Sequence, residues 1–200
     1  MYVRRASFLL ALALAALAPA AALAAQPAPS RGANQWAVLV GIEDLGDSGI
    51  QLRGDLELPQ RALSPGVGFS IVPSLGFSRF SNDYTDVFSG VSVDESLSLF
   101  RGMAAARFTF GNSPVFRPYV DGGLGVYIAS YSYEYQDQFT GFRTSDSQSE
   151  FGLVMRFAGG VAFQVSPSFA LGAELGFQPY IGDGPDDTST NLLFSATFRM

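Results

Sequence analysis

Histidine and cysteine are both absent from the 200 residues. Without imidazole there is no Ser-His-Asp or Cys-His nucleophile and no ordinary zinc site. Without thiols there are no disulfides, no thiolate metal ligands and no lipid-modified cysteine behind a leader. Lysine is missing too, so all 12 basic residues are arginines. Only 15% of residues are charged, and the net charge of −6 speaks against a nucleic-acid partner. A water-facing surface is normally dressed with Lys and Glu, and this chain has little material for one. After residue 30 no apolar run reaches the ~18 residues of a membrane helix. What the sequence has instead is 18 Phe, 22 Gly and a positive mean hydropathy of +0.20.

Residues 1–24 read as a secretory signal peptide. Arg4 and Arg5 supply the positive start, Phe8 to Leu17 the apolar run, and Ala22-Leu23-Ala24 the small-x-small cleavage pattern. Residues 25–34, rich in Ala, Pro and Gly, read as a short periplasmic N-terminal segment. Residues 35–200 then carry one repeated signal, an alternation of apolar and small or polar side chains with the period of a β-strand.

The alternation is clearest from Phe151 to Val165. Phe151, Leu153, Met155, Phe157, Val161 and Phe163 share one face, and Gly152, Arg156, Ala158, Gly160 and Gln164 share the other. The same pattern recurs over Phe116–Tyr131, Ser168–Tyr180, Asn191–Met200, Ser96–Phe110, Gly66–Phe80 and Gly49–Pro59. It is weakest over Gln35–Glu43, where Leu39 falls on the wrong face. Eight strands are therefore predicted. Short turns (Gln60–Pro65, Gly111–Val115, Ser166-Pro167) alternate with longer acidic loops at Ser81–Glu95, Glu134–Glu150 and Ile181–Thr190, which is the layout of a transmembrane barrel. The second face is mostly Gly, Ala and Ser around isolated charges. That suits a narrow interior better than a solvated exterior, so the bulky Phe, Leu and Val face is assigned to lipid. The expected fold is all-β: an eight-stranded antiparallel up-and-down transmembrane β-barrel. Closure pairs every backbone group within the hydrocarbon, which an open sheet cannot do.

Over Gln35–Met200 the chain resembles the small eight-stranded outer-membrane barrels of Gram-negative bacteria, the OmpA- and OmpX-like transmembrane domains. The resemblance is carried by Arg117–Val126 (RPYVDGGLGV) and by the alternating C-terminus from Leu192 to Met200. It implies residence in the outer membrane amid lipid and lipopolysaccharide, insertion by the barrel-assembly machinery, and a monomeric state. Members commonly end in an aromatic residue, whereas this chain ends in Met200 with Phe198 two positions earlier. No peptidoglycan-binding domain follows the barrel, so the tethering role of full-length OmpA-like proteins is not expected.

The predicted interior gathers Arg53, Arg101, Arg107, Arg117, Arg156 and Arg199 with Asp55, Glu57, Asp121 and Glu174. Unpaired charges in a confined space are costly, so a salt-bridged plug is expected, with Arg117 or Arg156 holding Asp121 or Glu174. A small passive channel lined by the same charges is the alternative. Tyr127, Tyr131, Tyr133 and Tyr135 alternate along one strand and are read as an interfacial aromatic girdle with a protruding hairpin. Asp183-Gly184-Pro185-Asp186-Asp187 offers oxygens to a hard cation but lacks any EF-hand spacing, and is read as solvated loop acid. No cofactor, metal or catalytic site is expected. Related enzymatic barrels of this length rely on His, so a non-enzymatic structural or surface-interaction role is the reading. A secreted soluble β-barrel binding module is the alternative of another class.

Overall fold

The computed structural model describes residues 34–86, 91–113, 115–137, 140, 142–182, 185 and 188–199. The signal peptide, most of the segment that follows it, the acids of the 183–187 run and Met200 lie outside the described residues. Among the described residues nine strands form a single antiparallel sheet: β1 (Gln35–Asp44), β2 (Ser48–Glu57), β3 (Arg61–Ser64), β4 (Val67–Asp86), β5 (Val91–Phe110), β6 (Phe116–Asp137), β7 (Arg143–Ser166), β8 (Phe169–Gly182) and β9 (Thr188–Arg199). Neighbours run in the order β2-β1-β9-β8-β7-β6-β5-β4-β3, and a further β2–β4 pairing closes the sheet on itself.

The expectation of eight strands is therefore corrected to nine, both for the fold and for the family type it resembles. The extra strand lies in Gln60–Pro65, which the sequence pattern presents as a turn. Pro59 has no N–H to give to a ladder and interrupts the pairing after β2. The chain then re-engages the same neighbour: β2 pairs with the Ser74–Phe80 part of β4 and β3 with Val67–Phe69, with Leu58 donating to the Ile71 carbonyl between them. β3 is four residues long and exposed throughout, so it offers no buried face for periodicity to reveal.

Two of the short turns meet at one end. Gly66 and Gly111 have φ of 80° and 94°, a region open to glycine, and the Gly111 N–H donates to the Gly66 carbonyl at 2.7 Å. At the other end the strands are unequal. β4 to β7 run 20 to 24 residues, about twice the ~9–11 that cross a membrane. The pairing of β2 with β4 stops at Gly49–Phe80, and that of β8 with β7 at Gly182–Gly152. Beyond those points β4–β7 continue as a four-stranded blade. Much of Ser81–Glu95 and Glu134–Glu150, expected as loop, is strand in this blade.

The faces are sorted as the alternation predicts. Leu75 is 74% exposed, Leu175 65% and Leu124 63%, whereas Arg156 is fully buried. Apolar side chains outward and charged ones inward is the inverse of a water-soluble barrel, which removes the ground for the soluble alternative. Directly opposed Phe pairs ring the outer face near the short turns: Phe69–Phe108, Phe116–Phe163 and Phe169–Phe198, with centroids 5.2–5.4 Å apart. This phenylalanine ring occupies the place expected of an aromatic girdle. The tyrosines do not: Tyr127 is buried inside, edge-on to Tyr180 at 5.1 Å.

Candidate functional site

The interior holds two ionic tiers. The larger lies toward the short turns. Arg107 grips Asp121 with two parallel bonds, Nε to Oδ1 at 2.8 Å and Nη2 to Oδ2 at 2.9 Å, while its Nη1 reaches Glu57 at 3.1 Å. Its guanidinium also sits 4.2 Å above the Tyr119 ring. Arg53 binds Asp55 through Nε at 2.8 Å and Glu174 through Nη2 at 2.9 Å. Arg156 bonds Asp121 and lies 3.4 Å from Glu174. The Tyr119 hydroxyl donates to Glu174 at 3.0 Å, and Ser70 donates to Glu57 at 2.8 Å. Three arginines thus face four carboxylates drawn from β2, β5, β6, β7 and β8, so no one hairpin could assemble the set. Bidentate arginine–carboxylate geometry satisfies several donors at once, which is what a buried charge requires.

The second tier lies toward the long hairpins and is centred on Glu43. Arg101 donates to both of its oxygens, at 2.6 and 2.8 Å. Ser189 donates at 2.5 Å, Tyr180 at 3.0 Å, and Ser78 bonds it as well. Arg101 is further satisfied by Gln178 at 2.8 Å and the Tyr180 oxygen at 2.7 Å. Leu39, Leu193 and Ala37 form an apolar cluster inside the barrel beside these tiers.

Glycines make the room. A Cβ on Gly160 would lie 2.5 Å from the Tyr119 ring and hydroxyl, so the bare backbone there is what lets Tyr119 reach Glu174. Gly152 does the same beneath Tyr127. The Gly and Ala of the inward face are the counterparts of its long side chains.

Of the ten charged residues expected inside, Arg53, Asp55, Glu57, Arg107, Asp121, Arg156 and Glu174 meet in the larger tier. Arg101 belongs to the other, with a partner that the sequence reading left out. Arg117 and Arg199 are half-buried near the short-turn rim, where Arg199 donates to the Pro167 carbonyl at 3.3 Å and lies within electrostatic reach of Glu57 and Arg117. The acids Asp121 and Glu174 are held by Arg53, Arg107 and Arg156. Glu43 had a legible signal: it shares the parity of Gln35, Ala37, Leu39 and Gly41, the inward side of β1. The apolar Leu39 on that side obscured it.

Among known proteins, the outer membrane protein beta-barrel domain family matches residues 7–199. No curated protein matches the chain. Among solved structures, Neisserial surface protein A (NspA) is 17% identical, with 84% of this chain and 96% of that one covered at a TM-score of 0.52. A major outer membrane protein from Thermus thermophilus is 16% identical, covering 84% of this chain and 100% of the other at 0.51. The outer membrane enzyme PagL is 15% identical over 83% of this chain and 99% of its own, at a TM-score of 0.47. At such identities the likeness concerns the fold alone.

Proposed function

Because the chain belongs to the outer membrane protein beta-barrel domain family and resides in the outer membrane, we propose that it is a non-enzymatic barrel there with a structural or surface-interaction role, its interior closed to steady flow. In this reading the signal peptide of residues 1–24 is cleaved after export. The barrel-assembly machinery then inserts the chain as a monomer, with the long hairpins facing outward among lipopolysaccharide. The observation that carries the proposal is the larger ionic tier: seven charged side chains from five strands, tied to one another across the interior and each at most 10% exposed. Side chains nearly fill so narrow a barrel, and here the filling includes paired charge. The want of any histidine supports the non-enzymatic part of the reading, since imidazole is the usual general base at neutral pH.

Conductance tests it. Purified protein inserted in a planar bilayer is expected to give little or no steady current, with Arg156→Ala adding intermittent openings. Large, stable, charge-selective steps from the unmutated protein would replace this reading with that of a small channel.

A further inference from the structure

The inner face of the blade, above the Glu43 tier, holds a cavity of about 400 Å³. That is within the ~300–1,000 Å³ usual for small-molecule sites. Strand register builds its wall in two rows. In the lower row Phe80 is opposite Leu97, Leu97 opposite Tyr131, and Tyr131 opposite Gln148. In the upper row Glu95 and Asp146 stand directly on either side of Tyr133. Directly opposed side chains in an antiparallel sheet have Cβ atoms ~4.5–5.5 Å apart, so both carboxylates flank one phenol ring. The β1–β2 turn closes the near side with Leu45 and Asp47. Leu45, Leu97 and Tyr131 pack below onto the buried cluster of Phe80, Leu99 and Tyr127, which makes the floor apolar and anchored.

The charge around this cavity has one sign. Among the described residues its lining contains Asp47, Glu95 and Asp146 and no arginine. The one hydrogen bond described for Asp146 is from the Ser147 N–H to Oδ1 at 2.8 Å, which leaves its second oxygen able to meet a ligand. An anion would be repelled. A hard metal ion wants several oxygens gathered at one point, and among the described residues no group of three or more Asp, Glu, His or Cys is gathered so. A cation with an apolar body meets every wall at once. Its charge is shared between Glu95 and Asp146, its body rests on Phe80 and Leu97, and Tyr131 and Tyr133 offer ring faces that attract cations.

We propose that this mouth binds a small organic cation of the alkylammonium class. The inference goes beyond the closed-barrel reading. The site lies above the ionic tiers and does not depend on whether they conduct.

The test is calorimetric titration of benzyltrimethylammonium into the full chain, refolded in a maltoside detergent that carries no ammonium group. Saturable binding is expected. It should weaken at least tenfold in the Glu95→Gln/Asp146→Asn pair and severalfold in Tyr133→Leu, which keeps the bulk and loses the ring face. Benzyl alcohol and benzenesulfonate should bind at least tenfold more weakly than the cation. Each variant is first shown to be folded by its different gel mobility before and after boiling. All these positions lie in the blade, clear of the ring closed by β2 and β4. Absence of saturable binding by the folded protein would overturn the site, as would equal affinity for the neutral or anionic probe, or for the double variant. None of those results touches the conductance measurement, where failure of the closed-barrel reading would show as steady current.

Discussion

Arg156→Ala should lower the stability of the folded barrel by about 3–5 kcal/mol, the cost of breaking a buried ion pair from one side. The side chain is fully buried, and among the described residues it is one of three arginines that bond the four carboxylates of this tier. Without it Asp121 and Glu174 face each other with one fewer cation between them, and the removed volume is enclosed by the barrel wall. Arg156→Lys should recover part of the loss, because it keeps the charge without the fork that spans both acids. Urea titration of the refolded protein in micelles, read from the fraction that runs as the compact band without boiling, measures the change. A loss below about 1 kcal/mol would mean that the tier does not hold the fold in the way its geometry indicates.

Glu43→Ala should cost a similar ~3–5 kcal/mol, since it leaves Arg101 in the interior with the neutral partners Gln178, Tyr180 and Ser78. The instructive comparison is the double change Glu43→Leu with Arg101→Met. Removing both members of a buried pair for apolar side chains of like volume is often neutral or stabilising. The double variant is therefore expected to be more stable than Glu43→Ala by at least about 2 kcal/mol. The same urea titration reads it. Equal destabilisation of the single and double variants would show that the hydrogen bonds from Ser78, Tyr180 and Ser189, rather than the charge pair, are what this tier contributes.

The sorting of faces was legible because a strand has only two sides and here each side meets one environment. Leu75, Phe157 and Leu175 could be assigned to lipid, and Arg53, Asp121 and Glu174 to the interior, from parity alone. Three things were not legible, each for a physical reason. Which charge meets which depends on strand order and stagger around the ring: Arg53 of β2 and Glu174 of β8 are 121 positions apart and meet only through closure. The tyrosine ladder was ambiguous because a phenol suits a membrane interface and a polar interior equally. What decides for Tyr127 is the bare Gly152 beside it and Tyr180 beyond. Finally, the Arg143–Ser149 stretch of the blade and the short β3 are exposed at every position, so their composition reads as loop although their backbones pair as strand. The expected eight strands became nine at that last kind of segment, where Pro59 breaks the ladder and Arg61–Ser64 resumes it.

A membrane barrel requires that the bulky face meet lipid. The chain carries a built-in probe of it: its one tryptophan, Trp36, is on the outward side of β1, 46% exposed and opposite Leu56 and Phe198. The direct measurement is Trp36 fluorescence after folding into phosphatidylcholine vesicles brominated in the upper acyl chain, against vesicles of unbrominated lipid. Strong quenching by the brominated lipid, abolished when the protein is unfolded in urea, is the predicted result. Emission that stays water-like and unquenched in the folded, vesicle-bound protein would contradict the assignment of the faces and the membrane barrel with it.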